Sequence, residues 1–235
     1  RLAHTGRLLT KARQIAFTFN GKHLTGFEGD TLASALLAND QMLVGRSFKY
    51  HRPRGIIASG TEEPNALVGL GTGASFEPNQ LPPTTTLFDG LAATSQNHWP
   101  SLDFDVGAIN NRLARFFPAG FYYKTFMAPR AAWKHLFEPI VRHSAGLGKA
   151  PRDRDADTYE HFYAFTDVLV IGGGVAGLQA ALAAGRAGAQ VLLLEQTPHY
   201  GGRAPVDGGK INDLPVDKFV EQIVAELETM PNVTL

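Results

Sequence analysis

Asp167-Val168-Leu169-Val170-Ile171-Gly172-Gly173-Gly174-Val175-Ala176-Gly177, continuing through Leu178 to Gly188 and on to Gln190-Val191-Leu192-Leu193-Leu194-Glu195, is the stretch that decides the fold. Its first five residues are a nearly continuous, largely β-branched apolar run, which reads as a strand buried on both faces of a parallel sheet. Residues 172–177 then satisfy G-x-G-x-x-G, and the alanine- and leucine-rich run after them predicts a helix over 178–187 that ends at Gly188. A second apolar strand, 190–194, closes on an acid about 20 residues beyond the glycines. Strand, glycine loop, helix, strand and acid in this order are the context that gives the motif meaning: a Rossmann-like α/β dinucleotide-binding domain.

Each part has a physical role. Gly172 permits the tight turn out of the strand, Gly174 leaves no Cβ in the way of a pyrophosphate, and Gly177 lets the helix pack closely on the sheet. Free N–H groups around Val175, Ala176 and Gly177 face the phosphates with the positive end of the helix dipole. Glu195 is placed to accept hydrogen bonds from the adenosine ribose, and its charge disfavours a 2′-phosphate, hence NADP. An acid-ended strand followed by Gly201-Gly202 resembles the two-dinucleotide-domain flavoprotein pattern more than a simple dehydrogenase, and that resemblance implies that Gln196 and Thr197 flank the adenosine, that Ala176 lines the pocket opposite Glu195, and that the backbone around Gly202 and Arg203 approaches the pyrophosphate. The motif alone leaves FAD and NAD both open.

Composition narrows the rest. The 235 residues suit one large domain or two small ones. Lysine plus arginine and aspartate plus glutamate both number 22, so no global field draws the chain to nucleic acid or an anionic membrane. The absence of cysteine excludes disulfides, thiolate nucleophiles, Cys-ligated zinc and Cys-held iron–sulfur clusters. The eight histidines show no metal-ligand spacing, and no Ser/His/Asp set or carboxylate pair stands out, so no metal and no catalytic residue is expected. No uninterrupted apolar run is long enough to span a bilayer, and no leader follows Arg1, which points to a cytoplasmic setting.

Working backwards, Ala150 to Glu160 is charged and poor in large apolar residues, as a linker is. Residues 101–148 mix aromatic and basic residues and read as amphipathic helices. Nearer the start, Ile15 to Phe19 alternates as a strand, Asn20-Gly21 makes a hairpin turn and Lys22 to Gly26 returns. Gly29-Asp30-Thr31 then caps a short helix carrying Leu32, Ala35 and Leu36. Further short strands are expected at 66–68 and 84–88. The divisions are therefore 1–100, an α+β unit; 101–162, a helical and linker segment; and 163–235, the dinucleotide-binding part. Only 58 residues follow Gly177, which hold a helix with Phe219, Val220, Ile223, Val224 and Leu227 on one face and the start of a strand at 233–235. That is too little to close a doubly wound domain, and the expectation is an N-terminal fragment of a longer polypeptide.

Several stretches resemble one family in combination: Phe48 to Ile56 (FKYHRPRGI), Glu62 to Val68 (EEPNALV), Pro118 to Met127 (PAGFYYKTFM), Ala145 to Gly148 (AGLG) and the glycine-loop segment with its acid. Together they are similar to the N-terminal part of the alpha subunit of heterotetrameric sarcosine oxidase. The resemblance implies a first domain of β-grasp, 2Fe–2S ferredoxin-like fold. Cluster-bearing relatives carry cysteines in the loop after its helix, whereas here that loop reads Arg46 to Arg54 without one, so the domain is expected to persist as a scaffold without a cluster. Its five basic residues, Arg46, Lys49, His51, Arg52 and Arg54, read as a solvated or interdomain salt-bridging loop, with phosphate or an acidic partner as the alternative. The resemblance further implies oxidation of sarcosine to glycine with oxygen and tetrahydrofolate, and beta, gamma and delta partner subunits. It places NAD in the glycine-loop slot and FMN at a subunit interface. The alternatives are an FAD-binding subunit of an amine, opine or cyanide-forming dehydrogenase, and a non-catalytic assembly module.

Overall fold

The computed structural model describes residues 6, 9–64, 66–116, 120, 126 and 128–235. Of the Pro118 to Met127 stretch quoted above, only Gly120 and Phe126 are among them, and Asn65 also lies outside. The chain forms two compact units, one reaching to Thr158 and one starting at Tyr159.

In the first unit the Asn20-Gly21 turn joins β1 (Thr10–Phe19) to β2 (Lys22–Glu28) in an antiparallel hairpin, with both turn residues at positive φ as a tight hairpin requires. Helix α1 (Leu32–Ala38) follows, its N-cap Thr31 and Ser34 bonding reciprocally in a capping box. Beneath the cap, Asp30 is almost fully buried, and its carboxylate accepts from the Phe27 N–H and the Ser34 hydroxyl. A short ribbon, β3 (Gly45–Arg46) with β4 (Pro53–Arg54), frames the basic loop. Three further strands, β5 (Val68–Leu70), β6 (Glu77–Gln80) and β7 (Leu91–Ser95), complete a sheet of order β2-β1-β7-β5-β6 in which β1 and β7 run parallel. Ile15, Phe17 and Phe19 alternate inward from β1 and meet Leu32, Ala35 and Leu36 of α1, with Val44, Val68, Leu87 and Leu91 closing the core.

Two strand expectations shift. The strand expected at 66–68 starts instead at Val68. Residues 84–88 form no strand: Pro82 and Pro83 lack ladder donors and start a 3₁₀ turn, and only Thr86 bridges, to Thr31. The strand that pairs with β1 lies further on, at Leu91–Ser95. The segment beyond residue 100 is helical in short turns, α2 (Ile109–Arg112) and α3 (Glu138–Ser144) among them, but neither buries a residue. Residues 152–165 are exposed and carry no helix or strand.

The second unit holds β8 (Val168–Ile171), α4 (Val175–Arg186), β9 (Val191–Leu194), α5 (Ala204–Asp207), the small hairpin β10 (Lys210–Ile211) and β11 (Leu214–Pro215), α6 (Val216–Glu228) and β12 (Val233–Thr234). Its sheet is parallel in the order β12-β9-β8. Leu178, Ala181 and Leu182 of α4 and Phe219, Val220, Ile223 and Leu227 of α6 share one core with Val170, Val191 and Leu193. Both long helices thus serve the face carrying Val170 and Leu193. The expectation of a strand buried on both faces is corrected: Leu169, Ile171 and Leu194, which alternate to the other face, are 52%, 81% and 48% exposed.

Leu36 has no exposed surface and sits where α1 meets the sheet. Leu36→Ala is expected to destabilise the first unit by ~2–5 kcal/mol in denaturant unfolding, because it removes buried methyl groups and leaves a cavity. A loss below ~1 kcal/mol would show that this helix does not anchor the core.

Candidate functional site

The β8–α4 turn is built by close approach. A Cβ on Gly177 would collide with the Gly172 carbonyl oxygen, so the first turn of α4 can lie against the strand end only with glycine here. Gly172 itself takes φ +98°, which its lack of a Cβ makes accessible. The Gly172 N–H continues the ladder to Leu194 O at 2.8 Å, tying the loop to the end of β9, where the acid stands.

Glu195 is half-buried and turned onto the glycine loop. Its Oε2 accepts the Gly173 N–H at 2.7 Å, and its Oε1 accepts the Thr197 N–H and hydroxyl, each at 2.9 Å. Burial alone would raise this carboxyl, but the donors from Thr197 and Gly173 outweigh it and hold Glu195 below the ordinary glutamate value. An ionised carboxylate offers about four acceptor directions, so three internal bonds leave capacity for a further donor such as a ribose hydroxyl.

The helix start is open. The first helical hydrogen bond runs from Leu178 N–H to Gly174 O at 2.9 Å, so the N–H groups of Val175, Ala176 and Gly177 stand outside the ladder. A Cβ placed on Gly174 would meet nothing within 4 Å. Gly174 therefore faces free space beside three N–H donors and the positive pole of a 12-residue helix, which is the cradle a pyrophosphate requires. The residues present fit an adenine dinucleotide.

Of the residues expected from the sequence, the structure brings Gly172, Glu195 and Thr197 together around the loop, and sets Gly202 beside Gly174, its would-be Cβ 3.3 Å from the Gly174 Cα. Ala176 and Gln196 are exposed, as is Arg203, which bonds to Asp207 one helical turn on, its Nη2 at 3.1 Å. One participant escaped the sequence, and one of the flagged Gly-Gly pair has a contact that the sequence did not assign. Tyr200 lays its ring on Gly173, where a Cβ would come within 2.6 Å of its Cδ1 and 3.2 Å of Glu195 Oε2. Gly201 donates to Gly173 O at 2.8 Å and bridges to Gly174. The Gly-Gly pair flagged after the acid was the available signal; nothing local marked the tyrosine.

In the first unit, His51 is not a free loop residue. Its Nδ1–H donates to Asp105 Oδ2 at 2.7 Å, and the Asp105 side chain is fully buried. Burial alone would raise Asp105, but the Trp99 and Gly107 N–H groups and the His51 ring hold it below its ordinary value. Arg46 is 8% exposed, which corrects the solvated reading of the basic loop at this residue.

Residues 12–98 match the family described as 2Fe-2S iron-sulfur cluster binding domain, and residues 167–228 match FAD dependent oxidoreductase. The chain is 54% identical over 219 residues to a sarcosine oxidase subunit alpha of Rhizobium meliloti (strain 1021), an alignment covering 93% of this chain and 22% of that one. Alpha subunits from Corynebacterium strains U-96 and P-1 are 31% and 33% identical over 97% and 96% of this chain. The chain is a homologue of the sarcosine oxidase alpha subunits. It spans 22% of the Rhizobium subunit and 19% of each Corynebacterium one. An L-proline dehydrogenase from P. horikoshii shares the fold, with a TM-score of 0.53 at 20% identity over 94% of this chain and 32% of that one. The fold class is a ferredoxin-like α+β domain followed by an α/β dinucleotide-binding domain.

The first match carries a cluster that the residues here do not fit. The chain has no cysteine, and among the described residues no three His, Cys, Asp or Glu side chains gather as a metal site. Also among the described residues, no helix is long and apolar enough to cross a membrane.

The depressed value of Glu195 sets a pH dependence. A group whose folded value lies below its unfolded value contributes stability that is complete above the ordinary carboxylate range and fades as pH falls through the folded value. Thermal melts are expected to show wild type more stable than Glu195→Gln at pH ~7, with the gap narrowing as pH falls below the ordinary carboxylate range. A gap independent of pH would mean the ionised carboxylate does not hold the loop.

Proposed function

We propose that this chain supplies an adenine-dinucleotide pocket to an oxidoreductase acting on the CH–NH group of sarcosine, as part of an assembly with other subunits. The observation that carries the reading is the open space at Gly174 beside the unladdered N–H groups of Val175, Ala176 and Gly177, with Glu195 at the neighbouring strand end. Homology to sarcosine oxidase alpha subunits supports the substrate class and the presence of partners. Beta, gamma and delta subunits, FMN at a subunit contact, tetrahydrofolate and oxygen as co-reactants, and a cytoplasmic setting belong to the same reading. The first 100 residues serve it as a clusterless scaffold, and residues 101–162 as the connection.

In this reading the pyrophosphate sits over Gly174 and the helix N–H groups, and Glu195 takes a ribose hydroxyl. Gln196 and Thr197 flank the adenosine, Ala176 lines the opposite wall, and Gly202 and Arg203 close the phosphate side. The bound dinucleotide supplies the ring that accepts or donates hydride; the protein's own groups bind and orient it. NAD is the occupant we favour for this slot. FAD is the second reading, favoured by the match of residues 167–228 to FAD dependent oxidoreductases.

Mass and absorbance of any small molecule released on denaturation, followed by titration of the chain with NAD and with FAD, separate these readings. Preferential binding of NAD supports the first and of FAD the second, while a folded chain that binds neither overturns the pocket. Gly174→Ala sharpens the test, because φ −65° suits any residue there and its Cβ meets nothing. It is expected to weaken dinucleotide binding by about tenfold or more while leaving the melting temperature nearly unchanged. Unaltered affinity would remove Gly174 from the phosphate site.

A further inference from the structure

The cluster that the first unit cannot hold raises the question of what organises its basic loop instead. In cluster-bearing domains the metal is the loop's internal cross-link. Here the segment between β3 and β4 is closed around a guanidinium. Arg46 Nε and Nη2 both donate to Leu102 O, at 3.0 and 2.6 Å, Nη2 also reaches Asp103 O at 3.3 Å, and Nη1 reaches His51 O at 3.3 Å. A charge this deeply buried is stable only when its donors are satisfied, and carbonyl dipoles do that here.

The same two segments are tied twice more. Asn97 Nδ2 donates to Arg46 O at 3.1 Å and Ser47 O at 2.9 Å, and His51 bonds to Asp105, which also accepts the Trp99 and Gly107 N–H groups. A Cβ on Gly107 would collide with the His51 ring, so the strands of chain approach as closely as glycine allows. Within the loop, Ser47 N–H reaches Arg52 O at 2.9 Å and His51 N–H reaches Ser47 O at 3.1 Å.

We infer that Arg46 is the internal cross-link of this loop where cluster-bearing domains of its class use a metal cluster: it is a fixed guanidinium, opposite in charge to a thiolate-held cluster, around which residues 47–52 and 97–107 fold together. The loop of the first unit is thereby locked by a group with no redox couple.

The test is amide hydrogen exchange on the whole 235-residue chain. Arg46→Ala is expected to speed exchange about tenfold or more at Ser47, His51 and Gly107 while the β1–β2 ladder stays protected. Added ethylguanidinium is expected to restore protection in both segments, and neutral ethylurea to leave it lost. Unchanged protection in Arg46→Ala, or equal rescue by both compounds, would overturn the inference. Should Arg46→Ala not fold, Arg46→Lys and Arg46→Met decide it: the lysine variant, which keeps a cation and donors, is expected to protect both segments better than the methionine variant, and parity between them contradicts the role.

Discussion

The second unit turns on the contact between the Gly172 carbonyl and the place where a side chain on residue 177 would begin. Because that space is empty of side chain, α4 docks at the end of β8 with its first turn pressed against the strand, and Leu178, Ala181 and Leu182 reach the core behind it. The same docking fixes where the unladdered N–H groups point. Glu195 then joins the neighbouring strand end to the loop through Gly173, and Tyr200 covers that bond from one side. A single steric constraint thus sets the helix pole, the acid and the open space at Gly174 in one place. This is preorganisation: the donors are held before any ligand arrives, so binding does not have to order them.

The first unit is organised by different means. Its buried charges, Asp30, Arg46, Glu63 and Asp105, are satisfied largely by backbone groups of turns and loops. Glu63 Oε2 accepts the N–H groups of both Ile57 and Ala58 at 2.8 Å, much as Asp105 gathers Trp99, Gly107 and His51. Loops of this length cannot bury enough apolar surface to order themselves, and charge-assisted hydrogen bonds to main chain are strong enough to do so. A ferredoxin-like core that has no cysteine keeps its loops by this route.

How much of this was legible in the sequence follows from how local each determinant is. Gly172, Gly174, Gly177 and Glu195 were readable because the steric and hydrogen-bonding demands of one strand–turn–helix unit fix their spacing. The Asn20-Gly21 hairpin and the Thr31 cap were readable for the same reason. Tyr200 was not, since it meets the loop 27 residues from Gly173 through a contact that no periodicity records. Arg46 looked like surface because its partners are main-chain oxygens 56 and 57 residues away, and a carbonyl leaves no trace in the amino-acid code. Period and composition also mistook Thr84 to Phe88 for a strand, where two prolines upstream had removed the ladder donors. The burial of Leu169 and Ile171 was overestimated because apolar character reports what a face can bury, not what covers it.

In the proposed function, the helix pole at Gly174 and the acid at Glu195 form one dinucleotide site. Isotope-edited NMR of the chain titrated with ADP-ribose tests it most directly, since that ligand carries the adenosine and pyrophosphate without either redox ring. One shared site gives saturable shifts concentrated at the amides of Gly173, Val175, Ala176, Gly177 and Thr197. Saturable binding that leaves those amides in place, or no binding by the folded chain, would contradict it.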